Sequence, residues 1–205
     1  EKFKVSKGKK PPCLSIEDVE GIVSEMKHPV KRDMVVFAFN TGWRIGEIRK
    51  LKWQDVDPEK GKAWIIDPKN GESNEIVLND EAIEIIKRQK EILNGSEYVF
   101  CHKNGDPFKT SLREAFTRAA DRAGVQLPPR KAWHILRRTW ASMFLQNGGD
   151  VETLRQQGNW KDYSMPMWYA NAGNEDHKKK ILNSFPKIGN GRNMAESGKV
   201  VALTN

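Results

Sequence analysis

Apolar residues along the chain follow a helical period for most of its length and a strand-like period over one short stretch. Val19, Ile22, Val23 and Met26 recur at three- and four-residue steps behind Ser15 and Asp18, the pattern of a helix opened by a capping box. The same period predicts helices over about Asp33–Asn40 and Trp43–Trp53, the latter turning Ile45, Ile48 and Leu51 inward. Ala63–Ile66 and Glu75–Leu78 then read as two strands around Pro68-Lys69-Asn70-Gly71, a hairpin signal. Asn79 caps a helix running to about Leu93, and Asn94-Gly95 ends it. Glu97–Cys101 reads as a short strand, with a turn at Asn104-Gly105. Further helices are expected over Ser111–Ala123, stopped by Gly124, over Lys131–Gln146, closed by Gly148-Gly149, and from the cap Asp150 to Gln157. Two shorter ones follow at about Ser164–Ala172 and Glu175–Ser184. The expected fold class is mainly α with one small antiparallel β-sheet (α+β), without internal repeats.

Composition narrows the picture. The 205 residues are 38% apolar, enough for a core with no disulfide framework. Cys13 and Cys101 lack a CxxC neighbour, which argues against both a zinc site and a redox pair. The longest apolar run, Met34–Phe39, is far too short to cross a bilayer, and no secretory segment opens the chain, so a cytoplasmic place of action is expected. Basic residues number 35 against 27 acidic ones, a net charge of +8 that suits a polyanionic partner. Half of that excess lies in residues 1–12, with five lysines against one glutamate. This stretch, with Lys7, Lys9 and Lys10, reads equally as a solvated arm and as a strap across a phosphate backbone. Residues 13–185 are the expected folded domain, and 186–205, from Pro186 to the strand-like Lys199–Leu203, the tail. The chain begins at Glu1, not Met, as a fragment of a longer protein would.

The chemistry-bearing residues are cations and one late tyrosine. Phosphate-loop, zincin and hydrolase-elbow motifs are missing, and the acidic residues do not cluster as a two-metal nuclease requires. Arg44 and Glu47 sit three apart on one helix face, where a carboxylate either forms an ordinary surface pair or orients a guanidinium fork toward an anion. Trp133, Leu136, Trp140 and Phe144 form an apolar stripe, beside which His134 and Arg137 share a face. That pair is either structural or suited to proton transfer with anion binding. In Ser164–Ala172, Met165, Trp168 and Ala172 make the expected core stripe, with Tyr169 at its edge.

Taken together and in order, TGWRIGEIRKLKWQDVD, HILRRTWAS and the GNW and MWYAN segments resemble the three signature boxes of the tyrosine recombinases, the phage integrase family. The resemblance spans roughly Cys13–Phe185 and implies that family's catalytic-domain fold. It implies Arg44, Lys69, His134, Arg137, Trp160 and Tyr169 as catalytic residues, with Glu47 supporting Arg44. Tyr169 is then the nucleophile of a 3′-phosphotyrosyl intermediate, Lys69 the acid for the departing 5′-oxygen, and the Trp160 indole a donor to a phosphate oxygen. Arg138 and Lys161, with the arm lysines, are the candidate DNA-backbone contacts. The implied partners are double-stranded DNA and further copies of the chain, four on two DNA sites, with the tail as a possible docking segment between protomers. Members usually carry a separate DNA-binding domain before this one, making residues 1–12 the remnant of a linker. No metal or cofactor is implied, and a bacterial or phage source with a DNA-associated location is. Two other functions remain open, a type IB topoisomerase-like enzyme and a non-catalytic DNA-binding module.

Overall fold

In the computed structural model, helix α1 (Ile16–Ser24) begins at the expected capping box. The Asp18 amide donates to the Ser15 hydroxyl at 3.1 Å, and the Ser15 amide donates to the Asp18 carboxylate at 3.0 Å. The structure describes residues 12–66, 73–92, 95–108, 112–128 and 132–171, with isolated positions 179, 183 and 184. The chain divides into one unit over Glu1–Gly173 and another over Asn174–Asn205, and every element named below belongs to the first.

Helix α2 (Pro29–Thr41) starts earlier than its apolar period predicts. Pro29 lacks an N–H that the first helical position would leave unpaired anyway, and its ring fixes a helical φ. Gly42 ends the helix in the left-handed region, at φ 67°. Helix α3 (Ile45–Lys50) is shorter than expected, because Leu51 turns extended and Trp53–Asp55 form a single 3-10 turn.

Strands β1 (Val56–Asp57), β2 (Lys62–Ile66) and β3 (Ser73–Val77) form an antiparallel sheet in that order. The two-residue β1 is too short to show an alternation in sequence. Ala63 faces Ile76 and both are buried, while the half-buried Trp64 opposite Glu75 lies on the other face. The outer edge of β3 is covered by a helix end: Asn74 Nδ2 donates to the Gln156 carbonyl at 2.9 Å, and the Val77 amide donates to Gln157 Oε1 at 3.2 Å. The expected turn at Pro68–Gly71 lies outside the described residues.

Helix α4 (Asp80–Ile92) is capped by Asn79 as expected, the Ala82 amide donating to its side chain at 3.0 Å. Glu97–Cys101 is not a strand. Only isolated bridges, Lys52 to Tyr98 and Cys101 to Pro107, pair it, and Val99, Phe100 and Cys101 are buried in succession rather than alternately. Helices α5 (Leu112–Arg122), α6 (His134–Gln146), α7 (Val151–Gln157) and α8 (Ser164–Asn171) complete the order. The helix expected at about Glu175–Ser184 lies almost wholly outside the described residues.

Helix α2 is the centre of the main core and packs against both α4 and α6. Met34, Val35, Phe37 and Ala38 are fully buried in it, as are Ile85 and Ile86 of α4. A second, smaller cluster gathers Ala141, Leu154 and Tyr169 with Trp140, Phe144, Trp160 and Trp168. Between α2 and α4, the buried Asp33 carboxylate accepts from Arg88 at 2.8 and 3.1 Å and from Gln89 Nε2 at 2.6 Å. Removing it leaves the buried Gln89 amide without that acceptor and Arg88 without its counter-charge. Asp33→Ala is therefore expected to destabilise the fold by about 2–4 kcal/mol in urea unfolding. A change near zero would mean that the α2–α4 contact is held by its apolar residues alone.

Candidate active site

Arg44 stands at the N-cap of α3, directly after the left-handed Gly42 and the buried Trp43. Its Nη1 donates to Glu47 Oε1 at 2.8 Å, while its amide donates to Glu47 Oε2 at 2.7 Å. Glu47 thus caps the helix and steers the guanidinium at once, as the three-residue spacing predicts. The Arg44 side chain stays 43% exposed and open to an anion.

Arg137 is placed differently from its sequence expectation. It does not line a polar face of α6 but is 2% exposed, with Nη1 donating to the Gly42 carbonyl at 2.7 Å and Nη2 to the Gly158 carbonyl. Its guanidinium carbon lies 3.9 Å from the centre of the Trp160 ring. Burial, then the like charge of Arg44, lowers the guanidinium pKa to about 9, while Glu47 and Tyr169 act in the opposite sense. His134, half-buried, is the first residue of α6 and precedes Arg137 by three.

Helix α8 keeps Trp168 of the expected stripe packed but differs at Met165 and Tyr169, and Ala172 lies outside the described residues. Pro166 and Tyr169 are buried, whereas Met165 and Met167 are exposed. The Tyr169 ring packs against Trp160 and Trp168, at 5.9 and 5.1 Å between centroids. Its hydroxyl is buried without a hydrogen-bond partner among the described residues. Burial holds the phenol above its ordinary range, against the opposing pull of Arg137, Arg138 and Arg44. Those three cations reach Tyr169 from α6 and the start of α3, so the residues singled out in separate boxes do come together. Trp160 is the hub, with one ring touching both Arg137 and Tyr169.

A cleft of about 1220 Å³ opens beside this group, lined by Arg44, Trp160 and Lys161 and by Ile66 and Ser73 of the hairpin strands. Lys69 lies in the connection between those two strands, outside the described residues, as do Lys7, Lys9 and Lys10. Arg49, Lys50, Lys52 and Arg155 also line the cleft and were not singled out from the sequence. The Arg49-Lys50-x-Lys52 run after the first box is the signal that points to three of them. Arg138 is half-buried, 6.0 Å from the Trp168 ring. Among the described residues no group of three or more His, Cys, Asp or Glu side chains is placed to hold a metal, and no helix is long and apolar enough to cross a membrane.

The model of the phage integrase family matches residues 13–176. The chain belongs to the phage integrase family. The integrase of Salmonella phage P22 is 31% identical over 197 residues, covering 87% of this chain and 49% of that protein. The crystal structure of XerA recombinase matches with a TM-score of 0.71 at 20% identity, over 89% of this chain and 68% of that one. A lambda integrase dimer bound to a core site matches with a TM-score of 0.64 at 22% identity, over 78% and 61% of the two chains. These solved structures share the fold, mostly helical with a small antiparallel sheet. The chain spans about half the length of the curated relatives it matches.

In this family member the loop that carries Trp160 is anchored by Glu152. Its carboxylate accepts from Arg155 Nε and Nη2 at 2.8 Å each, from Gln156 at 2.8 Å and from the Tyr163 hydroxyl at 2.6 Å. Arg155 Nη1 then donates to the Trp160 carbonyl at 3.2 Å. The Arg155 and Tyr163 hydrogen bonds lower the Glu152 pKa from 4.5 to about 2. A depressed carboxylate contributes stability above its unfolded pKa and loses it as pH falls through the folded one. The Glu152 contribution is thus expected to disappear between pH 4.5 and about 2. Glu152→Gln should lower the melting temperature at neutral pH and flatten its fall across that window. A melting profile unchanged by the substitution would rule out this anchor.

Proposed function

We propose that this chain is the strand-transferring part of a site-specific DNA recombinase, which joins itself to DNA through Tyr169. The observation that carries the reading is the convergence of Arg137 and Tyr169 on the Trp160 ring, beside a cleft that Trp160 and Arg44 line together. A cleft lined by Arg44, Arg49, Lys50, Lys52, Arg155 and Lys161 suits a phosphate backbone, and the lambda integrase of the same fold is bound to a core site. The proposed substrate is accordingly double-stranded DNA, with Arg138, Lys161 and the arm lysines Lys7, Lys9 and Lys10 as further backbone contacts. The place of action is wherever that DNA lies.

The Tyr169 oxygen attacks the scissile phosphorus, the bond to the 5′-oxygen breaks, and a 3′-phosphotyrosyl ester forms. Arg44, steered by Glu47, and Arg137 stabilise the negative charge on the non-bridging oxygens, and the Trp160 indole donates to one of them. Tyr169 gives up its proton with His134 assisting, and Lys69 supplies one to the 5′-oxygen. One ester replaces another, so attack by a 5′-hydroxyl from a partner strand rejoins the DNA with no external energy source. Exchange between two duplexes breaks four strands, which calls for four copies of the chain. Residues 186–205 are the proposed docking segment between them.

A DNA substrate that loses a short fragment after cleavage traps the covalent intermediate. Tyr169→Phe should yield no covalent band while keeping affinity within a factor of about two, since phosphate neutralisation supplies most of the binding. An adduct in the Phe variant would make Tyr163 the nucleophile. Joining of the cleaved strand to a different duplex supports the recombinase over the topoisomerase-like enzyme. No adduct at all would leave a DNA-binding module.

Lys69→Ala should cleave ordinary DNA very slowly and recover on DNA with sulfur at the 5′-bridging position. A thiolate, whose acid titrates near pH ~8.5, departs without a proton from the protein. Arg44→Ala should not recover on that substrate. Failure of sulfur to rescue Lys69→Ala selectively would reassign the proton donor, with His134 first in line.

A further inference from the structure

Both carbonyls that hold the Arg137 fork belong to glycines, and at each glycine a tryptophan ring occupies the place of a side chain. A Cβ on Gly42 would stand 2.1 Å from Trp140 Cε3, and one on Gly158 would stand 1.9 Å from Trp160 Cζ3. The two indoles stack on one another, with centroids 6.3 Å apart and planes 24° from parallel. Arg137 therefore sits in a socket of two backbone acceptors and one ring face, and its Nε has no hydrogen-bond partner among the described residues. A planar guanidinium is useful to a phosphate only when its plane and fork are aimed, and here no carboxylate among the described residues is paired with it to aim it.

Trp140 contributes to this aim at two points. It lies three residues beyond Arg137 on α6, its ring packs on the Gly42 backbone whose carbonyl receives Nη1, and its face backs the Trp160 ring that covers the guanidinium. We propose that Trp140 is a positioning residue for strand transfer, setting the plane of Arg137 through the Gly42 carbonyl and the Trp160 ring. The proposal rests on the reading of Arg137 as the arginine that stabilises charge on the scissile phosphate. Trp140 itself touches neither substrate nor reacting atoms.

The test compares single-turnover cleavage of ordinary DNA with cleavage of DNA carrying a neutral methylphosphonate at the scissile position. Replacing a charged non-bridging oxygen by methyl removes the charge that an aimed Arg137 stabilises. At saturating protein the single-turnover rate constant is that of the folded chain bound to DNA, so a destabilised variant still reports. Trp140→Leu, which keeps an apolar side chain and loses the stack, should cleave ordinary DNA at least about 10-fold more slowly, on the scale of a misaimed catalytic group. On methylphosphonate DNA it should stay within about 3-fold of the unsubstituted chain, and Trp140→Phe should fall between the two on ordinary DNA. Arg137→Ala, the reference, should show the same selective loss in larger measure. Equal slowing of Trp140→Leu on both substrates, or no slowing on either, would overturn the proposal and leave Trp140 a packing residue. Failure of the unsubstituted chain to form an adduct would instead overturn the strand-transfer reading, and this proposal with it.

Discussion

A guanidinium taken out of water is expensive, and acceptors or polarisable surfaces around it lower that cost, which is the constraint that the geometry around Arg137 answers. Its partners are two backbone carbonyls at the Nη atoms and an aromatic face, which leave its charge uncancelled, and its Nε has no hydrogen-bond partner among the described residues. Gly42 closes α2 and Gly158 closes α7, so the ends of two helices are brought to the same point of a third. Because Gly42 also precedes Arg44 by two residues, the backbone turn that receives one arginine launches the helix that displays the other. The buried cation and the exposed one are thereby set by a single turn of chain.

The site straddles two clusters of unequal size. Trp43, next to Arg44, belongs to the large core around α2, whereas Trp160 and Tyr169 belong to the small one between α6, α7 and α8. The small cluster holds fewer buried apolar residues than the large one, and local opening in proteins draws on such regions. The Tyr169 hydroxyl, buried and without a hydrogen-bond partner among the described residues, sits in that cluster, while Arg44 and Arg137 are held at the ends of α2, α3 and α7. Tyr169 and Arg137 thus share the Trp160 ring of the small cluster, while Arg44 follows Trp43 of the large one.

Much of this was legible in the sequence, and the parts that were not share a cause. Ser15, Asn79 and Asp150 cap the helices they were expected to cap, because capping depends on residues three places apart at most. The pairing of Arg44 with Glu47 is local in the same way. The burial of Arg137 was hidden because its acceptors come from positions 42 and 158, and a lone arginine beside an apolar stripe looks like a surface residue. Trp168 packs as expected, but Met165 and Tyr169 were misjudged because methionine is the more apolar of the two, although the helix packs on a cluster rich in aromatic rings. Arg155 became visible only when α7 placed it on the wall of the cleft.

The covered edge of β3 ties two halves of the cleft into one mechanical piece. An exposed sheet edge invites a foreign strand, and here the Gln157 side chain takes the Val77 amide of that edge while the Gln156 carbonyl takes the Asn74 side chain. The same two hydrogen bonds fasten the hairpin to the last turn of α7, immediately before Gly158. Two hydrogen bonds thus place β3 one residue away from a carbonyl that holds Arg137, so the sheet edge and the arginine socket share one helix end.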